Sequence, residues 1–278
     1  MSDPDETFLA RIWGARGSIP APAAGNAESG SDTCCVEMRC GPHILIFDAG
    51  SGIASLGMKL WGEGVTELDL FFSHCHFDHI FGLPFLKPLY NDAVRARFHA
   101  GHFLDHMTCR GMIEQFMGPP YFPLTPKYFR AQIEFRDFRP PAVLRPHPGI
   151  AISTVRLNHP NGAVGYRVDF AGRSICYVTD TEHTPGQIDA DLVAAIEGAD
   201  ILIYDCSYTD EEYDCCIGYG HSTWQEGVKL CEAAGVGRLV LFHHSPGRDD
   251  AGLRAIEAEA QERFAGAIVA RTGLVLTP

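Results

Sequence analysis

The 278-residue sequence has no apolar run near the ~20 residues a membrane-spanning helix needs, so no transmembrane segment is expected. It has no basic surplus either. A formal net charge of −13 disfavours nucleic acid and anionic membrane as partners, because few cations are available to displace counterions. The opening Met1-Ser2-Asp3-Pro4-Asp5-Glu6 lacks the basic-then-apolar layout of a secretory signal. Ten cysteines are present, but their spacing shows no secreted disulfide framework, and the neighbours Cys34-Cys35 and Cys215-Cys216 are poorly placed to bridge each other. Reduced thiols in a cytoplasmic protein are the expectation. No fixed period repeats, and no flavin-binding segment is recognisable.

What is present is a succession of apolar runs with strand character at 8–13, 36–40, 44–47, 68–72, 152–157, 164–170, 174–178, 201–204 and 238–242. Helical patterns punctuate them at 53–60, 188–196, 224–231 and 253–260, which makes the class α/β. The pattern fits a single domain over 1–278, with room for a homodimer. The stretch 91–148 differs, being rich in proline and aromatic residues with weak periodicity. It is expected to be an insertion that forms a lid or pocket wall, with one helix over 102–117. His102 and His106, four residues apart on that helix, are expected to be surface histidines.

Five of the apolar runs end at an ionisable side chain: Asp48, His74, Asp180, Asp205 and His243. Five such endings suggest one shared rim. The densest is Ser73-His74-Cys75-His76-Phe77-Asp78-His79, where three imidazoles and a carboxylate follow a buried strand. Neutral imidazole and carboxylate are ligands for zinc, manganese and iron. Cys75, between two of the histidines, is expected to be a small buried thiol. With His159, Asp180 and His243 the candidates number seven. That exceeds one tetrahedral zinc but suits two divalent ions sharing a carboxylate, whose two oxygens can bridge as a neutral imidazole cannot.

In order and spacing, His74-x-His76-x-Asp78-His79 followed by His159, Asp180 and His243 resembles the ligand signature of the metallo-β-lactamase superfamily. The resemblance implies a four-layer αββα sandwich. It further implies that His74, His76 and His159 hold one metal, that Asp78, His79 and His243 hold the other, and that Asp180 bridges. Gly220-His221-Ser222-Thr223, the opening Gly14 to Pro20 and Asp180-Thr181-Glu182 resemble the branch containing ribonuclease Z and phosphoribosyl cyclic phosphodiesterases. One departure is Gly30-Ser31-Asp32-Thr33-Cys34, where relatives commonly read Gly-Gly-Asn-Thr. The family's His-x-Ser pattern favours His243 over His244 as the last ligand.

The expected function is that of a dinuclear metal-dependent hydrolase, a phosphodiesterase acting on a small phosphodiester, cyclic ones included, through a metal-bridging hydroxide. His221 and Asp78 are the candidate catalytic residues, His221 as proton donor to the leaving alkoxide. Asp48 and Asp205 are candidates for orienting imidazoles, and Glu182 for supporting the site or bordering the substrate pocket. Competing readings keep the centre but change its chemistry: a lactone or thioester hydrolase, a transfer-RNA-processing enzyme, or an iron-containing redox or sensor protein.

Overall fold

The computed structural model describes residues 7–103 and 106–278. The acidic stretch Met1–Glu6, and Leu104 and Asp105 of the expected 102–117 helix, lie outside the described residues. The first sheet contains β1 (Phe8–Gly14), β2 (Cys35–Cys40), β3 (His43–Phe47), β4 (Glu67–Phe72), β5 (Arg95–Ala100) and β6 (Gln132–Asp137). The second contains β7 (Val143–Leu144), β8 (Ala151–Leu157), β9 (Ala163–Phe170), β10 (Arg173–Val178), β11 (Ile201–Asp205), β12 (Arg238–Phe242) and β13 (Ala267–Val269). The terminal β14 (Val275–Leu276) returns to pair with β1, giving orders β14-β1-β2-β3-β4-β5-β6 and β13-β12-β11-β10-β9-β8-β7.

Strand alternation explains the layers. Leu45, Phe47 and Phe71 point between the sheets, where they meet Tyr166, Val168, Tyr177, Ile203 and Phe242. Their sequence neighbours Ile44, Ile46, Leu70 and Phe72 point the other way, under α1 (Ile53–Gly62). The 3-10 turns over 83–90 complete that cover, after the short α2 (Phe77–Ile80) in which the histidine cluster ends. Strands apolar on both faces must be covered on both, which is why these runs are continuous rather than alternating. On the second sheet, Leu202, Tyr204, Leu239 and Leu241 pack under α4 (Ala190–Ile196), α5 (Trp224–Ala234) and α6 (Asp250–Arg263). The result is helix, sheet, sheet, helix.

Part of the stretch 91–148 builds the sheets rather than an insertion. β5 and β6 are paired parallel strands continuing the first sheet beyond β4, and β7 begins the second sheet. Arginine, histidine and glutamate at alternate positions of Arg95–Ala100 and Gln132–Asp137 obscured their strand character. The helix, α3 (Cys109–Phe116), is shorter than the expected 102–117, because Thr108 caps it by accepting from the Gly111 amide at 3.1 Å. His102 therefore precedes the helix and is buried, not at the surface; His106 is exposed.

Candidate metal centre

The parallel β3 and β4 run to one rim of the first sheet; β10, β11 and β12 are parallel in the second. Asp48, His74, Asp180, Asp205 and His243 follow the ends of these strands and are buried at this rim. Three of them hold left-handed backbone: Asp48 at φ 61°, Asp180 at 55° and His243 at 59°. That conformation is uncommon for residues other than glycine and persists only where the surroundings over-determine it.

The outer nitrogen of most imidazoles is occupied. His74 Nδ1 donates to Ser73 Oγ at 3.0 Å, and His79 Nδ1 to Asp48 at 2.8 Å. His159 Nδ1 donates to the Gly220 carbonyl at 2.7 Å, and His243 Nδ1 to Ser207 Oγ at 2.9 Å. These bonds fix the tautomers and aim each Nε2 inward. Donor atoms of His74, His76 and His159 lie within 4.8 Å of one another, as do those of Asp78, His79 and His243. Asp180 stands between the two groups, 3.7 Å from His74, 3.8 Å from His159, 3.2 Å from His79 and 3.3 Å from His243. Among the described residues, the buried Nε2 atoms of His74 and His79 have no hydrogen-bond partner. Orphaned imidazole nitrogens around two carboxylates are what a divalent cation would satisfy, so the donor set fits two such ions.

Electrostatics agree with that fit. Burial pushes the imidazoles of His74, His76 and His159 down toward the neutral, ligating form. Burial opposes charge on His79 and His243 too, but Asp180 foremost, with Asp78, outweighs it and pushes both up. Burial likewise resists ionisation of Asp78 and Asp180. Their histidine neighbours override it and hold both carboxyls well below the usual range.

The supporting residues are specific. Asp48 is fully buried and accepts from the Ser73 amide and hydroxyl and the Tyr177 hydroxyl as well as from His79. Asp205 accepts from His221 Nδ1 at 2.9 Å and from Ser207. Asp78 accepts from the Ser18 amide at 2.7 Å. Gly17 admits no side chain, since a Cβ there would fall 2.3 Å from the His243 ring. Glu182 has a supporting position: its carboxylate accepts from the Gly218 and Gly220 amides and braces the turn that carries His221. His244 turns away, donating to the Ala270 carbonyl at 2.8 Å, so His243 alone of the pair faces the centre. Cys75 is half-buried on the cavity wall rather than buried.

One residue escaped the sequence reading. Cys34, fully buried, places its Sγ within 4.8 Å of the Asp78, His79 and His243 donors. The position lies in the stretch Gly30 to Cys34 that departs from the family pattern, and that departure was the signal available.

A double-sheet α/β sandwich with imidazoles and carboxylates gathered at its strand ends defines a class, that of αββα metal-binding proteins. The chain belongs to the beta-lactamase superfamily domain family, whose model matches residues 43–244. It is similar to a ribonuclease Z of Myxococcus xanthus, 24% identical with 81% of this chain and 85% of the relative covered. In fold it is similar to a diphosphatase of the PhnP family, with TM-score 0.71, 21% identity and 98% of both chains covered. It also resembles the short form of human tRNase Z, with TM-score 0.68, 21% identity and coverage of 97% of this chain and 98% of that one. Together these make the chain a metal-dependent hydrolase. They also correct the expectation that its acidity disfavours nucleic acid, since a relative along most of its length is named a ribonuclease. Net charge sums the whole surface, whereas a substrate meets one patch of it.

Proposed function

We propose that the chain is a dinuclear metal-dependent phosphodiesterase. The observation that carries this reading is His221. It lines a cavity of about 340 Å3 together with Ser18, His76, Asp78 and Asp180, and its Nδ1 donates to the buried Asp205. Of the seven expected ligands, His74, His76 and His159 would hold one ion, and Asp78, His79 and His243 the other. Asp180 has oxygens near both groups and would bridge. Two bound divalent ions would neutralise phosphate oxygens and lower the pKa of a water held between them.

The rest falls to the chain's own side chains. Asp205 fixes the His221 ring and leaves Nε2 for a leaving-group oxygen, the position of a general acid. Parallel stacking on His243, with centroids 4.6 Å apart, limits how far that ring can swing. Glu182 holds the Gly218–Gly220 turn and so sets the height of His221 above the centre. The ribonuclease Z relative supports phosphodiester over carbonyl chemistry.

With bis-p-nitrophenyl phosphate as substrate, His221→Ala is expected to lose about 100-fold or more in turnover while its metal content stays unchanged. Full turnover in that variant removes His221 from the mechanism. A panel of cyclic nucleotides, phosphoribosyl cyclic phosphates and RNA with a 3′ extension, run beside lactones and thioesters, tests the class. Turnover confined to the carbonyl substrates overturns it.

A further inference from the structure

A second cavity, of about 450 Å3, adjoins the metal-site cavity and shares Cys75 and Phe77 with it. Its walls are Phe77, Met112, Gln115, Phe116, Tyr121 and Phe122, with no charged side chain among the described residues that line it. Phe77 and Tyr121 are 74% and 82% exposed. Large aromatic rings left this open beside a catalytic centre cost hydration without contributing to the core. The Tyr121 loop is nonetheless held in place. The amides of Tyr121 and Phe122 both donate to the Gly118 carbonyl at 2.9 Å, and the Phe122 ring packs edge-on against Phe85.

We infer that this cavity is a subsite for a nucleobase carried by the phosphodiester. A group joined to a phosphate at the metals would enter past Phe77, which stands between the ligands His76 and Asp78. The walls offer flat π faces, which suit a planar base, and the absence of charge suits a neutral one. Gln115 adds one amide able to donate to and accept from a base edge. An aliphatic chain would use the apolar walls but neither the ring faces nor the amide.

The kinetic test rests on the phosphodiesterase reading above. Metal-reconstituted protein is assayed with the thymidine 5′, methyl and hexyl esters of p-nitrophenyl phosphate. The thymidine ester is expected to have the highest kcat/KM. Tyr121→Ala should lower the thymidine-to-methyl ratio by about 5-fold or more, the loss of one stacking partner. Tyr121→Phe, which keeps the ring, should restore it. A ratio unchanged in Tyr121→Ala, or a preference for the hexyl ester, overturns the inference. Calorimetric titration with adenosine 5′-monophosphate and ribose 5-phosphate keeps the two readings separate. If no ester is hydrolysed, the phosphodiesterase reading fails. The subsite then stands if the nucleotide binds at least 5-fold tighter than the sugar phosphate and Tyr121→Ala abolishes the difference. Equal affinities overturn it.

Discussion

Two clusters of imidazole and carboxylate lie along β4, and they meet opposite fates. Asp69 and His74 are on the order of 15 Å apart along the strand. At Asp69, which is fully buried, one oxygen accepts from His99 at 3.0 Å, and the other from His147 at 2.7 Å and Arg97 at 3.0 Å. His99 stacks on Phe71 and His147 on His43. There the carboxylate is saturated and binds its histidines to itself. At the rim, by contrast, the buried Nε2 atoms of His74 and His79 have no hydrogen-bond partner among the described residues. Composition alone does not separate a structural network from a metal centre. What separates them is whether donors and acceptors cancel, and the remainder is the metal's share.

The contrast can be broken most severely at Asp180. Asp180→Ala is expected to lose metal from both groups, from about two equivalents to less than one by elemental analysis, with turnover falling accordingly. Retention of both equivalents would sink the bridging assignment.

Asp69→Ala should do the reverse, leaving metal content intact while destabilising the fold. Removing one member of a buried charged network costs roughly 3–5 kcal/mol, measurable as a lower urea midpoint. Asp69 also has a pH signature. Burial resists its ionisation, but hydrogen bonds from His99 and His147, with the charge of Arg97, prevail and hold its carboxyl below the usual value. Its contribution is therefore complete above the unfolded value of about 3.9 and is lost as pH falls through the depressed one. Unchanged stability in Asp69→Ala would mean that the network carries nothing.

The smallest effect is expected at His102, an imidazole with neither of its neighbours' solutions. Among the described residues neither ring nitrogen, both buried, has a hydrogen-bond partner, and the imidazoles of His76 and His79 add to the effect of burial on it. Burial pushes it down to about 3, so it stays neutral when folded. The unfolded chain takes up a proton there below about pH 6.5, so this residue draws stability away as pH falls from 6.5 toward 3. His102→Phe should be neutral or stabilising by about 1 kcal/mol at pH 7 and should flatten that part of the acid limb. Marked destabilisation at neutral pH would show that the ring nitrogens have a partner after all.

How legible all this was depended on the kind of signal. The strands ending at His74, Asp205 and His243 are nearly unbroken apolar runs, and burial on both faces writes such runs plainly. β5 and β6 were missed because alternate positions carry Arg97 and His99, which serve the Asp69 network, and Glu134 and Arg136, which pair with each other in a largely exposed contact, rather than an apolar face. Glu182 was left between a supporting and a substrate-facing role because a carboxylate bracing backbone amides has the same sequence appearance as one facing a substrate. Cys34 was passed over as one of an adjacent pair of thiols.

The sequence by itself determined which chemical groups this protein can offer and in what order along the chain: imidazoles and carboxylates after apolar strands, with His221 just ahead of a capped helix. Those are local properties, carried by residue type and short spacing. Only the tertiary structure decided which nitrogen of each histidine points inward, because that depends on acceptors from distant segments: Asp48 for His79, the Gly220 carbonyl for His159, Ser207 for His243. It also decided that Asp180 stands between two groups of donors and that Asp69 does not. Convergence is a property of packing, and the left-handed backbone at Asp48, Asp180 and His243 is held by contacts that no stretch of sequence contains.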